Sequence, residues 1–448
     1  MASAPRARSR SQSGSRPGFG TRPASRASES ATPPERPSAS AGAFAPHSTS
    51  RSGRGGSSAR QRLVLLEAAA ALVLCGWTIG LPALVPAAVV ALALLALALV
   101  RRRGRSLPEW LSTVLALRTR RRRAARTPVP SGTESGFAPA VECDPALRTY
   151  SYGGPDRRPV GMVGDGAFVS AVVQVEADVT ALRADRGRQP LPVGLVRDAL
   201  EVDGIRLESA QIVLHTQPAP ALHLPQHSVA VTNYAPLQEQ TGAPAVRITW
   251  IALKLDPELC REAVAARGGG LVGAQKCLVR VADHLASRLA GAGFRATVLD
   301  EEELTSAVAT SACANPLVTA EAGRSGTRER RTEESARSWR CDNRRHTTYW
   351  IRRWPRLGAQ EPSLPQVIAL LTSVPALATT FSLTLAAGER QTTALCGHVR
   401  VTGRGDEELV AARRALEGAA RHTGVGLARL DREQVPGMLA TLPLGGAR

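Results

Sequence analysis

The feature that most constrains this chain is an apolar run, residues 63–100, that carries one formal charge, Glu67. As one straight helix these 38 residues would extend about 57 Å, whereas the hydrocarbon core of a bilayer is about 30 Å thick. Gly80 and Pro82 both disfavour helix and lie near the middle of the run. The run therefore predicts a two-helix transmembrane hairpin, with a helical hairpin inside a soluble core as the alternative. A cleaved signal fits poorly, because its apolar region is less than half as long.

The positive charge of the chain is concentrated on either side of this run. Residues 1–62 and residues 101–126 each carry a net charge of +9, out of +19 for the whole chain, which leaves about +2 for residues 127–448. Lys and Arg accumulate on the cytoplasmic side of membrane spans. The charges therefore predict a cell-membrane protein with two spans and both termini in the cytoplasm.

The basic segment after the run also predicts a contact with the membrane surface. Arginines next to a span bind anionic lipid headgroups, and tryptophan favours the interface. The residues predicted to form this membrane-anchor flank are Arg101, Arg102, Arg103 and Trp110. A nucleic-acid-binding protein would carry its charge on the folded module. Since residues 127–448 are nearly neutral, no nucleic-acid partner is expected.

Composition and periodicity divide the chain into four parts. Residues 1–60 are rich in Ser, Arg and Pro and predict a disordered tail. Residues 61–102 are the hairpin, residues 103–140 the basic juxtamembrane segment, and residues 141–448 a cytoplasmic α/β domain.

Within that domain, strand and helix patterns follow the order β-α-β-β-α-β twice. The predicted fold class is therefore α+β, with duplicated ferredoxin-like units after the disordered tail and the transmembrane hairpin. The two halves are expected at about 160–312 and 340–448. The polar segment 318–338 between them is predicted to be a surface linker.

Three clusters could carry chemistry, and each has a simpler structural interpretation. His215, His223 and His227 could bind a metal, but their spacing matches no standard site and a polar loop is preferred. The acidic residues 301–303 could act as a paired-acid site, but they suit a helix N-terminus better. The glycine-rich segment 268–276 lacks the hydroxyl residue of a phosphate-binding loop and is interpreted as a helix interruption.

The sequence therefore predicts no catalytic residues, no cofactor and no metal. The seven cysteines are scattered and form no C-x-x-C pair, which predicts free thiols.

The segment 346–355, "HTTYWIRRWP", is the most distinctive in the domain. It predicts a strand that ends at Pro355. Exposed tryptophan and arginine residues are typical anchors of protein interfaces. The partner-binding prediction therefore names Trp350, Arg352, Arg353 and Trp354, and a purely structural strand is the alternative.

Taken together, a Ser/Arg/Pro-rich head, an apolar hairpin, a basic segment and a domain with "TYWIRRWP" followed by "LPQVIALLTS" resemble the EccE family of type VII (ESX) secretion components. The resemblance covers residues 63–448, and the long head departs from it. It implies a non-enzymatic structural subunit of an inner-membrane complex, with EccB-, EccC- and EccD-like subunits as partners, of which EccC is the ATPase.

A membrane-tethered enzyme, for instance a transferase acting at the inner leaflet, is the competing interpretation. An enzyme of that kind needs a cleft with convergent acids, histidines or phosphate-binding amides, whereas a scaffold needs an exposed contact surface.

Overall fold

The computed structural model describes residues 52–446, except for residues 100, 103–104, 131, 154–157, 178–189, 218–227, 230–231, 234–235, 237–245, 326–328, 357–361 and 389–391. Most of the predicted disordered tail therefore lies outside the described residues. The described residues all belong to one compact unit that spans Phe44–Arg448.

The described helices are short apart from those at the start of the chain and two that cover the sheet. They are α1 Ser52–Ile79, α2 Leu81–Leu99, α3 Leu107–Arg126, α4 Ala138–Cys143, α5 Val193–Asp198, α6 Arg261–Ala265, α7 Gly270–Gly291, α8 Glu301–Ser311, α9 Pro316–Ser325, α10 Leu364–Thr372, α11 Asp406–His422 and α12 Gln434–Leu439.

The strands fall into one large sheet and two small hairpins. They are β1 Arg101–Arg102, β2 Arg105–Ser106, β3 Arg148–Tyr152, β4 Val160–Gly164, β5 Val169–Ala177, β6 Glu201–Val202, β7 Ile205–Arg206, β8 Ser209–Gln217, β9 Val246–Leu255, β10 Phe294–Val298, β11 Thr332–Glu334, β12 Trp339–Cys341, β13 Arg344–Arg353, β14 Ala378–Ala387, β15 Thr393–Gly403 and β16 Gly426–Arg429.

Within the described residues, the large sheet has 12 strands in the order β11-β12-β13-β15-β14-β8-β9-β5-β4-β3, with β10 paired to β5 and β16 paired to β13. Every pairing in it is antiparallel. The chain is therefore α+β, as its sequence predicts.

The sheet contains the same arrangement twice. The first unit runs β5-α5-β8-β9-α7-β10 and the second runs β13-α10-β14-β15-α11-β16. In each unit the fourth strand pairs with the first, the first with the third, and the third with the second, which is the order of a split βαβ, ferredoxin-like unit. The second strands, β8 and β14, pair with each other around Val213 and Ser382 and so join the two units into one sheet.

The repeat extends beyond these six elements. A hairpin precedes each unit, β3–β4 before β5 and β11–β12 before β13, and its second strand pairs with the start of the strand that follows. The segment predicted to be a surface linker, 318–338, contains most of α9 and the strand β11. Thr332 and Glu334 of that strand are buried. The segment therefore extends the sheet.

Helices cover both faces of the sheet. One face packs against α5, α7, α10 and α11, and the other against α4, α8 and α12. In β9, Ile251 and Leu253 point to the first face, whereas Trp250 and Ala252 point to the second. All four are buried, which explains why this strand is apolar along most of its length.

Beyond α12, residues 440–446 continue along the second face and form the C-terminal strap. Ser170 Oγ donates a hydrogen bond to Leu444 O at 2.9 Å, and Ser209 Oγ donates one to Gly445 O at 2.6 Å. Gln211 Oε1 accepts from Gly445 N at 2.8 Å. Since the three side chains belong to the first unit and the strap follows the second, the strap connects the two units.

Gly445 is required at its position in the strap. Its φ of 96° is in the left-handed region that favours glycine, and a Cβ there would lie 2.5 Å from Lys254 Cβ. The backbone of the strap can therefore approach the sheet closely only without a side chain.

The apolar run forms two helices, α1 and α2, separated by Gly80 at a φ of 117°. In the described part of the chain, no helix combines the length and the apolar character needed to cross a membrane. Helix α1 begins in a segment of Ser, Gly and Arg residues. Side chains of α2 are described without a gap only over residues 84–96, a rise of about 20 Å. The transmembrane-hairpin prediction is therefore wrong, and the predicted orientation of the termini loses its basis.

Candidate functional site

Strand β13 carries three of the four residues predicted to contact a partner, and the fourth, Trp354, follows it directly. Arg352 and Arg353 are exposed, and Trp350 and Trp354 are half-buried. The outer neighbour of this part of β13 is the short strand β16, where Trp350 pairs with Ala428. The structure therefore brings the two arginines together at the end of β13, next to a short outer strand.

Trp354 packs inside the domain, whether or not it also contacts a partner. It packs against the apolar core of the first face. A Cβ on Gly397 would lie 2.6 Å from Trp354 Cζ2, so glycine is needed for the indole to lie on β15. The two arginines are therefore better probes of a contact than Trp354, because substituting them leaves this packing intact.

The second face of β13 and its neighbours carries polar side chains that are completely covered. We call this set the buried polar layer, and its members are His215, Arg344, His346, Thr380, Arg400 and Thr402, each at most 1% exposed. Sequence reasoning missed all of these except His215. Arg400 between the apolar neighbours Val399 and Val401 of β15 was the available signal.

The two arginines of the layer bind the C-terminal end of α8. Arg344 Nη1 donates to Cys313 O at 3.3 Å, and Arg400 Nη2 donates to Ser311 O. Arg400 Nη2 also donates to Thr380 Oγ1 at 3.3 Å. Carbonyls at a helix C-terminus carry partial negative charge and attract cations. The arginines therefore hold α8 against the sheet.

His215 is the member of the predicted histidine cluster that the structure describes, and it lies in this layer. Its Nδ1 is 2.9 Å from Thr380 Oγ1, and its Nε2 is 2.9 Å from Gln217 Nε2. Since the amide nitrogen of Gln217 can only donate, His215 Nε2 accepts and Nδ1 carries the proton. Burial, followed by the charge of Arg400, lowers the pKa of His215 to about 3. His223 and His227 lie outside the described residues.

We expect His215 to make stability depend on pH. In the unfolded chain its pKa returns to about 6.5, so between pH 6.5 and about 3 the unfolded state binds a proton that the folded state excludes. The free energy of unfolding then falls by about 1.4 kcal/mol per pH unit, or about 2 kcal/mol at pH 5.

Urea denaturation at pH 7 and at pH 5 measures this decrease in the free energy of unfolding. His215→Gln should remove the contribution of His215 to the decrease. His422→Gln, an exposed position on α11, is the control and should leave the decrease unchanged. A decrease that is the same in both variants would contradict the prediction.

The basic segment forms α3, and part of it is attached to the domain. Arg120 Nε and Nη2 donate to the two carboxylate oxygens of Glu334, each at 2.9 Å. Arg121 Nε donates to Glu334 O at 2.8 Å. The Arg432 guanidinium lies 5.2 Å from the centre of the Trp110 ring. Trp110, predicted for the membrane flank, therefore contacts the domain. The backbones of Arg101 and Arg102 lie in β1, and Arg103 lies outside the described residues.

The acidic residues 301–303 form the first turn of α8. Asp300 and Glu303 complete a capping box, and Glu301 accepts from Thr149 Oγ1 at 2.6 Å. The glycine-rich segment separates α6 from α7, where Gly268, Gly269 and Gly270 all have positive φ. Both segments are used to begin helices.

One open cavity of about 280 Å³ lies beside α7 and is lined in part by Arg158, Lys276, Arg280 and Asp283. Two of its cations are held in ion pairs. Arg158 binds Asp300 and Glu303, and Arg280 binds Asp203. Within the described residues, no three His, Cys, Asp or Glu side chains are placed to bind a metal ion. All seven cysteines are free.

Comparison with known proteins connects the chain to secretion. Residues 243–351 match the family model described as "Putative type VII ESX secretion system translocon, EccE". The matched segment begins just before β9 and ends within β13, so it includes α8 and the strands of the second hairpin. The match confirms the predicted resemblance to EccE over this segment. No curated protein matches the sequence.

Proposed function

We propose that this protein, whose residues 243–351 match the EccE family, is a non-enzymatic structural subunit of a membrane-associated type VII secretion complex. The family match is the observation that carries the proposal. Such a subunit acts by binding neighbouring subunits, here those of the EccB, EccC and EccD type, and needs a rigid frame with exposed contact surfaces. The sheet with helices on both faces provides the frame.

The positions of the ionisable groups support a structural role over a transferase. His215, His346, Arg344 and Arg400 are buried in the sheet, where no substrate reaches them. An active site needs its acid, base or nucleophile in a concave site open to the substrate. The cations of the open cavity are in part neutralised by carboxylates.

The first contact surface is the exposed end of β13, with Arg352 and Arg353. Arginine is enriched among the residues that dominate binding energy at interfaces. We therefore assign this surface to a neighbouring type VII subunit.

Replacing both exposed arginines should weaken assembly without unfolding the domain. We expect Arg352→Glu together with Arg353→Glu to lower the affinity for the partner about thirty-fold, since buried interface anchors contribute about 2 kcal/mol or more. The measurement is the recovery of partner subunits with the tagged chain, next to secretion by a deletion strain that expresses the variant.

A matched control uses an exposed arginine on β10, the outer strand of the first unit. Arg295→Glu in β10 changes the charge in the same direction at an exposed site and should leave recovery unchanged. A double variant that is folded, judged by its urea midpoint, and still recovers the full complex would exclude this surface.

The amino-terminal helices supply a second contact surface. Trp77 and Ile79 of α1 are about three-quarters exposed. Apolar patches that are exposed to this extent mark interaction sites. We assign them to a neighbouring subunit of the same complex. Recovery of the complete complex with a folded Trp77→Glu variant would exclude that assignment.

The exposed arginines of α3 supply a third surface. Arg118, Arg122, Arg123 and Arg126 are exposed, and each arginine near an anionic membrane contributes about 1 kcal/mol of attraction. We assign them to anionic lipid headgroups. Equal binding of the chain to vesicles with and without anionic lipid would contradict this assignment.

A further inference from the structure

The buried polar layer holds more positive charge than its surroundings neutralise. Arg344 and Arg400 are at most 1% exposed. In the described part of the chain, neither forms an ion pair with a carboxylate. Asp342, the nearest acid in sequence, binds Arg331 at 2.8 Å. The C-terminus of α8 offsets only about half a charge. Since an uncompensated buried charge is costly, the layer needs a further anionic group.

The thiols nearby cannot supply that negative charge. Cys313 Sγ lies 3.7 Å from Thr402 Oγ1, within the layer. Burial raises the pKa of Cys313, and burial followed by the charge of Asp342 raises the pKa of Cys341. Both thiols are therefore neutral at physiological pH.

Several donors in this region are buried without a hydrogen-bond acceptor. They are Arg344 Nε, Arg400 Nε, Arg400 Nη1 and the indole nitrogen of Trp339, and the ring nitrogen His346 Nε2 beside them is unpaired as well. Buried donors in native proteins are nearly always paired with an acceptor. The unpaired donors of the layer and of the neighbouring Trp339 therefore indicate a shared acceptor.

The sheet register places these donors around His346. Arg344 lies two residues before His346, on the same face of β13. Trp339 pairs directly with His346 from β12, with ring centres 4.8 Å apart. Arg400 follows on β15, diagonally across from His346, because Thr402 is its direct partner. Arg344 and Arg400 thus lie on opposite sides of His346, but both side chains reach the end of α8, where their acceptors Cys313 O and Ser311 O are two residues apart. Their guanidinium groups therefore converge there.

We propose that Arg344, Arg400 and Trp339 bind a small inorganic monovalent anion of the halide class inside the second unit. Arginine and indole N–H groups donate to such an ion, and its charge compensates the arginines. Because the ligating residues are completely covered, the anion must be small and is exchanged only when the layer opens. This site is independent of the contacts assigned to the type VII complex.

Chloride is the probe for the first test. The purified full chain is unfolded by heat in sodium gluconate, and chloride then replaces gluconate at constant ionic strength. We expect the unfolding midpoint to rise by several degrees and to saturate, as for a ligand that binds only the folded state. A midpoint that stays the same across this exchange would overturn the proposal.

Two variants locate the effect. Trp339→Phe keeps the ring and removes only the indole donor, so we expect the chloride concentration for half-saturation to rise several-fold. Arg400→Met should abolish the chloride response. Arg345→Met is the matched control, since Arg345 is the next residue of β13 and binds Asp406 at the surface, and it should keep the full response. If Arg400→Met does not fold, Trp339→Phe decides the test. An unchanged response in Trp339→Phe would contradict the site, and so would a response lost in Arg345→Met.

A bromide derivative tests the position directly. Crystals of the full chain grown in sodium bromide should give an anomalous peak beside Arg400 Nε. Anomalous peaks elsewhere in the protein, with no peak in the buried polar layer, would overturn the assignment.

Discussion

Truncation after Leu439 should destabilise the chain by about 5 kcal/mol or abolish cooperative folding. The deletion removes the C-terminal strap, including Leu442 and Leu444, which are 0% and 6% exposed. Burial of each leucine contributes about 1.5–3 kcal/mol. Ser170 and Ser209 would also lose their hydrogen bonds to the strap, each with a net contribution of about 0.5–1.5 kcal/mol. The total is comparable with the stability of a typical domain, about 5–15 kcal/mol.

Urea denaturation of the truncated and full-length chains measures the loss. A chain that lacks only residues 447–448 is the control and should match the full chain, because it keeps Leu444 and Gly445, which bind the first unit. If the longer truncation cannot be purified in a folded state, Leu442→Ala replaces it. This substitution should lower the free energy of unfolding by about 2–5 kcal/mol. A truncated chain within 1 kcal/mol of the full one would show that the strap does not join the units.

Glu334→Gln should have the next largest effect, a loss of about 2–3 kcal/mol. The Glu334 side chain is 5% exposed, whereas that of its partner Arg120 is 26% exposed. Breaking a buried ion pair costs about 3–5 kcal/mol, and the partial exposure of Arg120 reduces this value. Glu334 Oε1 also accepts from Val435 N at 3.0 Å. The substitution therefore weakens the attachment of both α3 and α12.

The neighbouring pair Glu333–Arg340 is the matched control. Both of these side chains are exposed, and their closest N–O distance is 3.1 Å. Exposed pairs contribute less than about 1 kcal/mol. A double-mutant cycle with Glu334→Gln and Arg120→Met should give a larger coupling energy than Glu333→Gln with Arg340→Met. Equal coupling energies in the two cycles would contradict the attachment of α3 through Glu334.

Periodicity was a good guide where one face of an element is apolar. The alternation in residues 245–256 predicts a strand, and β9 spans Val246–Leu255. Likewise, the helical spacing of Leu278, Val281 and Leu285 predicts a buried helix face, and all three are buried in α7.

The second hairpin could not be predicted because its burial is polar. Glu142 accepts from Thr332 N and Thr332 Oγ1 at 2.8 and 2.7 Å, and from Arg331 N at 3.0 Å. Thr332 and Glu334 thus lie inside the fold although their sequence resembles a solvated linker. Bonds between residues 190 positions apart leave no local pattern.

The buried polar layer was missed for a related reason. Polar residues alternate with apolar ones from His398 to Thr402 of β15, a pattern typical of a strand with one face in water, and β13 begins with five polar residues. In the structure α8 covers that face, and its terminal carbonyls accept the arginine donors. Only the position of α8 reveals that the polar face is internal.

The transmembrane prediction rested on the length and apolar composition of residues 63–100 and on the break at Gly80 and Pro82. Apolar composition shows that side chains avoid water, and it does not show what covers them. The proposed contacts with neighbouring subunits give these helices another apolar environment. The partner-binding residues Trp350, Arg352, Arg353 and Trp354 remain a prediction, with the exposed arginines as the sharper test.

The central claim, that this chain acts as a structural subunit of a type VII complex, is tested most directly by purification of the assembly. The full-length chain, tagged at its N-terminus, is cross-linked in cells that carry a type VII system and purified, and the associated proteins are identified by mass spectrometry. The account predicts that other type VII subunits are recovered in constant proportion to the chain, and that the Arg352→Glu, Arg353→Glu variant recovers fewer of them. A folded chain that is recovered without any type VII subunit would contradict it.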